Sequence, residues 1–247
     1  MFTLMKYELR KTLFGKLILL GLAVAAEGLF IYSLISSNNS LQITSVIILA
    51  ILALVGLIAI GVQSVLTLHR DMNTKQSYML FMTPHTKYEI LGAKVLENGI
   101  STIIAGAFFV ALGFTDAALL ISHNQSVEEL LELLNGFVEI LGAQLSANPV
   151  EIIAFISNTI FGWLATVTIA YLADVLASSI FNGKKGGLLI CFIIFLALNV
   201  VVEKLVGLIP VVSDFTAGQF ISAAASLVIS AVFYYITAII MDRHLSV

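Results

Sequence analysis

Apolar residues in this chain do not alternate with polar ones. They gather into six long runs at roughly 17–36, 43–68, 90–121, 151–180, 188–209 and 219–241, separated by short polar stretches. A helix needs about twenty mainly apolar residues to cross a bilayer, and each run meets that length. Strands of a membrane barrel are shorter and alternate in polarity, so the runs predict helices. Their surplus length permits tilt or extension beyond the membrane.

Two further segments carry a one-sided pattern. In residues 2–14, Phe2, Met5, Leu9 and Leu13 fall on one helical face, and Lys6 and Arg10 on another. This predicts an interfacial helix on the inner leaflet (residues 1–16), the alternative being an extension of the first span. In residues 126–145, Ser126 and Glu129 have capping-box spacing. There Val127, Leu130, Leu131, Leu134, Val138, Leu141 and Leu145 form a stripe, with Glu128, Glu132 and Glu139 opposite. The segment 122–150 is read as an outer amphipathic helix, either a gate or a cap over helix ends.

Composition excludes a water-soluble globule. The chain is 60% hydrophobic and 11% charged, with a mean hydropathy of +1.05, where a soluble domain carries about 25% charged residues. In lipid every backbone polar group must be satisfied internally, which leaves an all-α polytopic bundle forming one membrane domain over residues 1–247. Eleven of the twelve Lys and Arg lie at the N-terminus, in the loop 69–94, at Lys184 and Lys185, and at Arg243. Even numbers of crossings separate these segments. A single topology therefore puts them all in the cytoplasm, with both termini. The outer segment 122–150 has no Lys or Arg.

The start of the chain resembles a secretory leader, with basic residues before an apolar run ending Ala23-Val24-Ala25. It is read as a first membrane helix. Cys191, the only cysteine, lies inside an apolar run and precludes an intramolecular disulfide.

Catalytic and nucleotide-binding signatures are missing. The sequence contains no H-E-x-x-H, no G-x-S-x-G and no Cys/His ligand cluster, and its four histidines fall in polar segments on both sides of the membrane. No catalytic residues and no metal ligands are assigned. Gly183-Lys184-Lys185-Gly186-Gly187 lacks the earlier glycine and the hydroxyl of a phosphate loop, and reads as a basic turn.

Glu27 stands near the middle of the first span, where an acid costs about 2.5–3.5 kcal/mol on insertion scales. It is read either as a contact for cargo or a cation, or as a hydrogen-bonded carboxyl tied to Asn158 or Thr159. These three residues make up the candidate translocation pathway. Glu97, three residues after Lys94, is expected to form a snorkelling local pair with it. Asp174, and Glu203 beside Asn199, are lesser candidates. Ser222, Ser226 and Ser230 recur every fourth residue, a spacing that suits close helix packing or a subunit interface.

The loop 69–94 is basic, yet Tyr78, Met79, Leu80, Phe81 and Met82 at its centre are apolar. Thr83-Pro84 is expected to start the third span, with Thr83 as N-cap and Pro84 at the first helical position. The short apolar piece before it either dips into the interface or enters a groove on a partner.

Arg70-Asp71, Tyr78-Met79-Leu80, Thr83-Pro84 and Tyr88-Glu89-Ile90-Leu91-Gly92-Ala93-Lys94 together resemble the loop between the second and third spans of the ABC type-2 permease family. The six-span layout is similar too. The resemblance implies a permease subunit of an exporter, whose loop 69–90 couples to a separate cytoplasmic ABC ATPase through Tyr78 to Met82. It also implies a second permease subunit, ATP and Mg held by the partner and no cofactor in this chain, in a bacterial plasma membrane. The outer segment, acidic and helical, departs from the family, and Glu27 matches none of its motifs. Cargo is not inherited. Two readings stand beside it: an intramembrane enzyme, and a non-transporting scaffold or sensor that recruits a cytoplasmic partner. None of these readings involves nucleic acid.

Overall fold

A computed structural model describes residues 2–36, 38–73, 86–124, 149–181, 187–208 and 214–244. The described residues form six helices: α1 Phe2–Ile35, α2 Asn39–Asn73, α3 Lys87–Asn124, α4 Pro149–Phe181, α5 Gly187–Val206 and α6 Phe215–His244. No strand occurs among the described residues. All six helices are long and apolar enough to cross a membrane. The chain is an all-α, multi-pass membrane protein. Tyr78 to Met82, Thr83-Pro84 and the outer segment 126–145 lie outside the described residues.

Helix length gives the polar side chains room to meet. α2 has 35 residues and α3 has 38. At 1.5 Å per residue such helices run to about 50–57 Å, against about 30 Å of hydrocarbon. Several turns of each therefore extend past the apolar core of a bilayer. In those turns polar groups can pair without crossing lipid.

The helix ends are capped by short-range chemistry. Asn38 Oδ1 accepts from the Leu41 N–H at 3.3 Å, and Asp214 Oδ2 accepts from the Ala217 N–H at 3.1 Å. At α3, Thr86 Oγ1 accepts from the Glu89 N–H and Glu89 Oε2 accepts from the Thr86 N–H, both at 3.2 Å. This reciprocal capping box satisfies two donors that an uncapped helix leaves orphaned. The described helix α3 is accordingly capped at Thr86. The signal was present in the sequence as Thr86-Lys87-Tyr88-Glu89.

No break separates residues 2–16 from the first span, because α1 is continuous from Phe2. Its early turns bury Glu8 and Thr12, while Tyr7, Leu13 and Phe14 are exposed. The inward face at this end is thus polar, the reverse of a soluble amphipathic helix.

The chain divides into two compact units. The first comprises residues 1–9, 62–99 and 147–247. In it α4 packs most extensively on α6 and next on α5. Leu68, Met72, Leu91, Val167, Tyr171, Val175, Ala238 and Met241 form its main apolar cluster, and Ala173, Ala177 and Cys191 form a smaller one. Ser230 is buried on α6 and donates to the Leu227 carbonyl at 2.8 Å, with Ser222 and Ser226 half-buried on the same helix.

The second unit comprises residues 10–61 and 100–146. Its core contains Ala26, Phe30, Leu34 and Leu49, with Leu120 packed against them. A Cβ placed on Gly56 would lie 2.6 Å from Leu19 Cδ1. Only the absence of a side chain lets α1 and α2 approach this closely without Leu19 moving.

Candidate functional site

The polar residues of the first unit converge where α2 ends and α3 begins. Lys94, in the second turn of α3, is 1% exposed. An unpaired ammonium in such a place costs several kcal/mol. It is paired twice: Lys94 Nζ donates to Asp71 Oδ2 at 2.6 Å and to Glu8 Oε2 at 2.9 Å. Both carboxylates are buried as well. Three helices, α1, α2 and α3, each contribute one member.

Around this trio lies a shell of neutral and aromatic groups. Trp163 Nε1 of α4 donates to Asn98 Oδ1 at 3.2 Å. Tyr171 shares a hydrogen bond with Ser64 of α2, and its hydroxyl lies 3.4 Å from the Lys94 carbonyl oxygen. His69, one turn before the end of α2, bonds through Nδ1 to Asp174 Oδ1 of α4 at 2.6 Å. Position Gly187, the start of α5, abuts the His69 ring. From α6, the Tyr234 hydroxyl donates to the Tyr88 carbonyl at 2.7 Å.

Asp174 is fully buried, and its Oδ2 has no hydrogen-bond partner among the described residues. Glu97 and Asn98 are also buried beside Lys94 along α3. Low dielectric strengthens each of these contacts and penalises any partner left alone. The arrangement is an ionic clamp with its polar atoms turned inward. It fixes the two chain segments from which the loop 74–85 departs.

Several expectations change at this site. Lys94 does not snorkel outward, because its ammonium is enclosed by Asp71 and Glu8. Asn158 Nδ2 donates to Gln219 Oε1 at 2.6 Å, and the Thr159 hydroxyl returns to the Phe155 carbonyl at 2.9 Å. Each is occupied with a partner other than Glu27. Within the second unit, Glu27 instead lies within hydrogen-bonding reach of Asp116 on α3. Asn199 Nδ2 donates to the Phe195 carbonyl at 2.8 Å, while Glu203 is exposed.

Glu8, His69 and Asp116 were not singled out by the sequence pattern, and Asp71 entered only as part of the Arg70-Asp71 stretch of the loop resemblance. Asp116 had a usable signal, since it interrupts an apolar run as Glu27 does. Glu8 had none, because a carboxylate among the cations of an N-terminal helix looks solvated.

The described residues contain no group of three or more His, Cys, Asp or Glu that could hold a metal ion. No protein-family model, curated protein or solved structure matches the chain. The protein is thus characterised by its fold and side-chain chemistry, as a multi-pass helical membrane protein with a buried ionic clamp at the helix ends flanking its most basic loop.

Proposed function

We propose that this chain is the membrane-spanning permease subunit of an ATP-driven transporter of the ABC type-2 permease kind, working as an exporter. It lies in a bacterial plasma membrane and pairs with a second permease subunit. A separate cytoplasmic ATPase, carrying ATP and Mg, engages the loop 69–90 through Tyr78, Met79, Leu80, Phe81 and Met82.

One observation supports this reading most. The segments flanking the loop are tied to each other by Lys94–Asp71 and to the start of α1 by Lys94–Glu8. His69–Asp174 adds a tie to α4. A push on a loop held by mobile ends is dissipated in the loop. A push on a loop held by a buried ion cluster is passed to four helices together.

Changing Leu80 or Phe81 to Asp tests the coupling. A carboxylate forced into an apolar groove loses hydration without gaining a partner, and loss of a central anchor typically costs about 2 kcal/mol or more of binding. Both variants should insert normally, fail to co-purify with the ATPase and lose cargo-stimulated hydrolysis. Wild-type co-purification and coupled hydrolysis in both variants would refute the coupling role.

A further inference from the structure

Glu27 and Asp116 bring two carboxyl groups together inside the second unit. Glu27 lies eight residues before the end of α1 at Ile35, and Asp116 eight residues before the end of α3 at Asn124. The two helices run in the same direction across the membrane, since α2 returns between them. Each carboxyl is therefore set back by about 12 Å from its helix end. Their depths match.

Asp116 is 8% exposed, and among the described residues its Oδ1 has no hydrogen-bond partner. Oε2 of Glu27 is buried and equally without a partner among them. Two ionised carboxylates contain only acceptors, so neither can satisfy the other. A proton on either one supplies the donor that both lack and removes the repulsion between them.

Lysine and arginine stand far from this pair: those of the same unit among the described residues are Arg10, Lys11 and Lys16, which lie 17, 16 and 11 residues before Glu27 on α1. That places them about 16–26 Å away along the helix. Lys16 is bonded to Ser101 at 2.5 Å. Tyr32 of α1 is exposed, and His123 follows Asp116 by seven residues, about 10 Å further along α3.

We propose that Glu27 and Asp116 form a membrane-embedded proton-binding site, in which the two carboxyl groups hold a single proton between them. The proton enters and leaves without any change in covalent bonding elsewhere. The site does not depend on the transporter reading, and would serve any activity of the chain that is linked to proton movement.

The test uses the full chain in native membranes. An apolar carbodiimide attacks protonated carboxyl groups in lipid-facing or buried surroundings, and peptide mapping by mass spectrometry locates the adduct. Near neutral pH the label should fall on the peptide containing Glu27 or Asp116 and spare the exposed Asp214. Raising the pH should abolish it. No adduct on either peptide would overturn the proposal. So would protection by sodium at constant pH, which would make a metal ion the ligand. An independent measurement compares infrared spectra of the wild type with those of Glu27→Gln combined with Asp116→Asn. The carbonyl stretch of a protonated acid, present in the wild type, should be lost from the double variant. An unchanged band would overturn the assignment.

Discussion

Lys94 is the residue on which most of the buried charge depends. It brings one positive charge to two carboxylates, Glu8 and Asp71, at 2.9 and 2.6 Å. Removing one partner of a buried ion cluster commonly costs about 3–5 kcal/mol, because the remaining charge has lost its compensation. Lys94→Met should therefore destabilise the protein by about that amount in denaturant unfolding in mixed micelles. Adding Glu8→Gln and Asp71→Asn should restore most of the loss, since neither carboxylate of the trio would then be left charged without its ammonium. A single variant as stable as the wild type would show that water reaches the cluster. The Glu27–Asp116 pair is the opposite case, two like groups without a counter-charge, and a proton does there what Lys94 does for Glu8 and Asp71.

At the scale of elements, the ends of the helices do more than the spans. α3 begins in a capping box built from Thr86 and Glu89. Thr86→Ala should cost about 0.5–2 kcal/mol. Most of that effect should be local, read as faster hydrogen exchange at the amides of residues 88–90 with the centre of α3 unchanged. Equal exchange in both proteins would mean that packing of Tyr88 and Ile90, and not the cap, holds the first turn. The tie from Tyr234 to the Tyr88 carbonyl makes the same turn dependent on α6. Tyr234→Phe should then speed exchange at the same amides, and a combined variant should exceed the sum of the two if cap and tie cooperate.

For the whole molecule, the distribution of basic residues sets an orientation that can be measured. Cysteines introduced at Glu132 and Lys184 should label from opposite sides of the membrane, with Lys184 inside, once Cys191 is replaced by Ser or shown to be unreactive. Labelling of both by an impermeant reagent in intact cells would overturn the six-crossing arrangement. Labelling from opposite sides, with Lys184 inside, would put the helix ends flanking residues 74–85, and the ionic clamp they carry, on the inner side.

The sequence by itself determined the class of the protein and the six long apolar helices of the described residues. Twenty apolar residues in a row have few alternatives in lipid, because an unsatisfied backbone cannot be left there. That constraint is local in sequence, and hydrophobic pattern is enough to expose it. Helix extents were less legible. The runs of apolar residues mark where lipid is, whereas α2 continues through His69 and Asp71, and α1 begins back at Phe2, because polar residues at those turns bury against one another. Glu27 was visible as an acid in an apolar run, but not its partner. Asn158 and Thr159 were offered to it on polarity alone, and Gln219 and the Phe155 carbonyl took them. Partner choice depends on the depth and facing of residues far apart in the chain, such as Glu8 with Lys94 and His69 with Asp174. Only the tertiary structure decided those pairings, since a charge is indifferent to sequence distance and responds to what surrounds it in space.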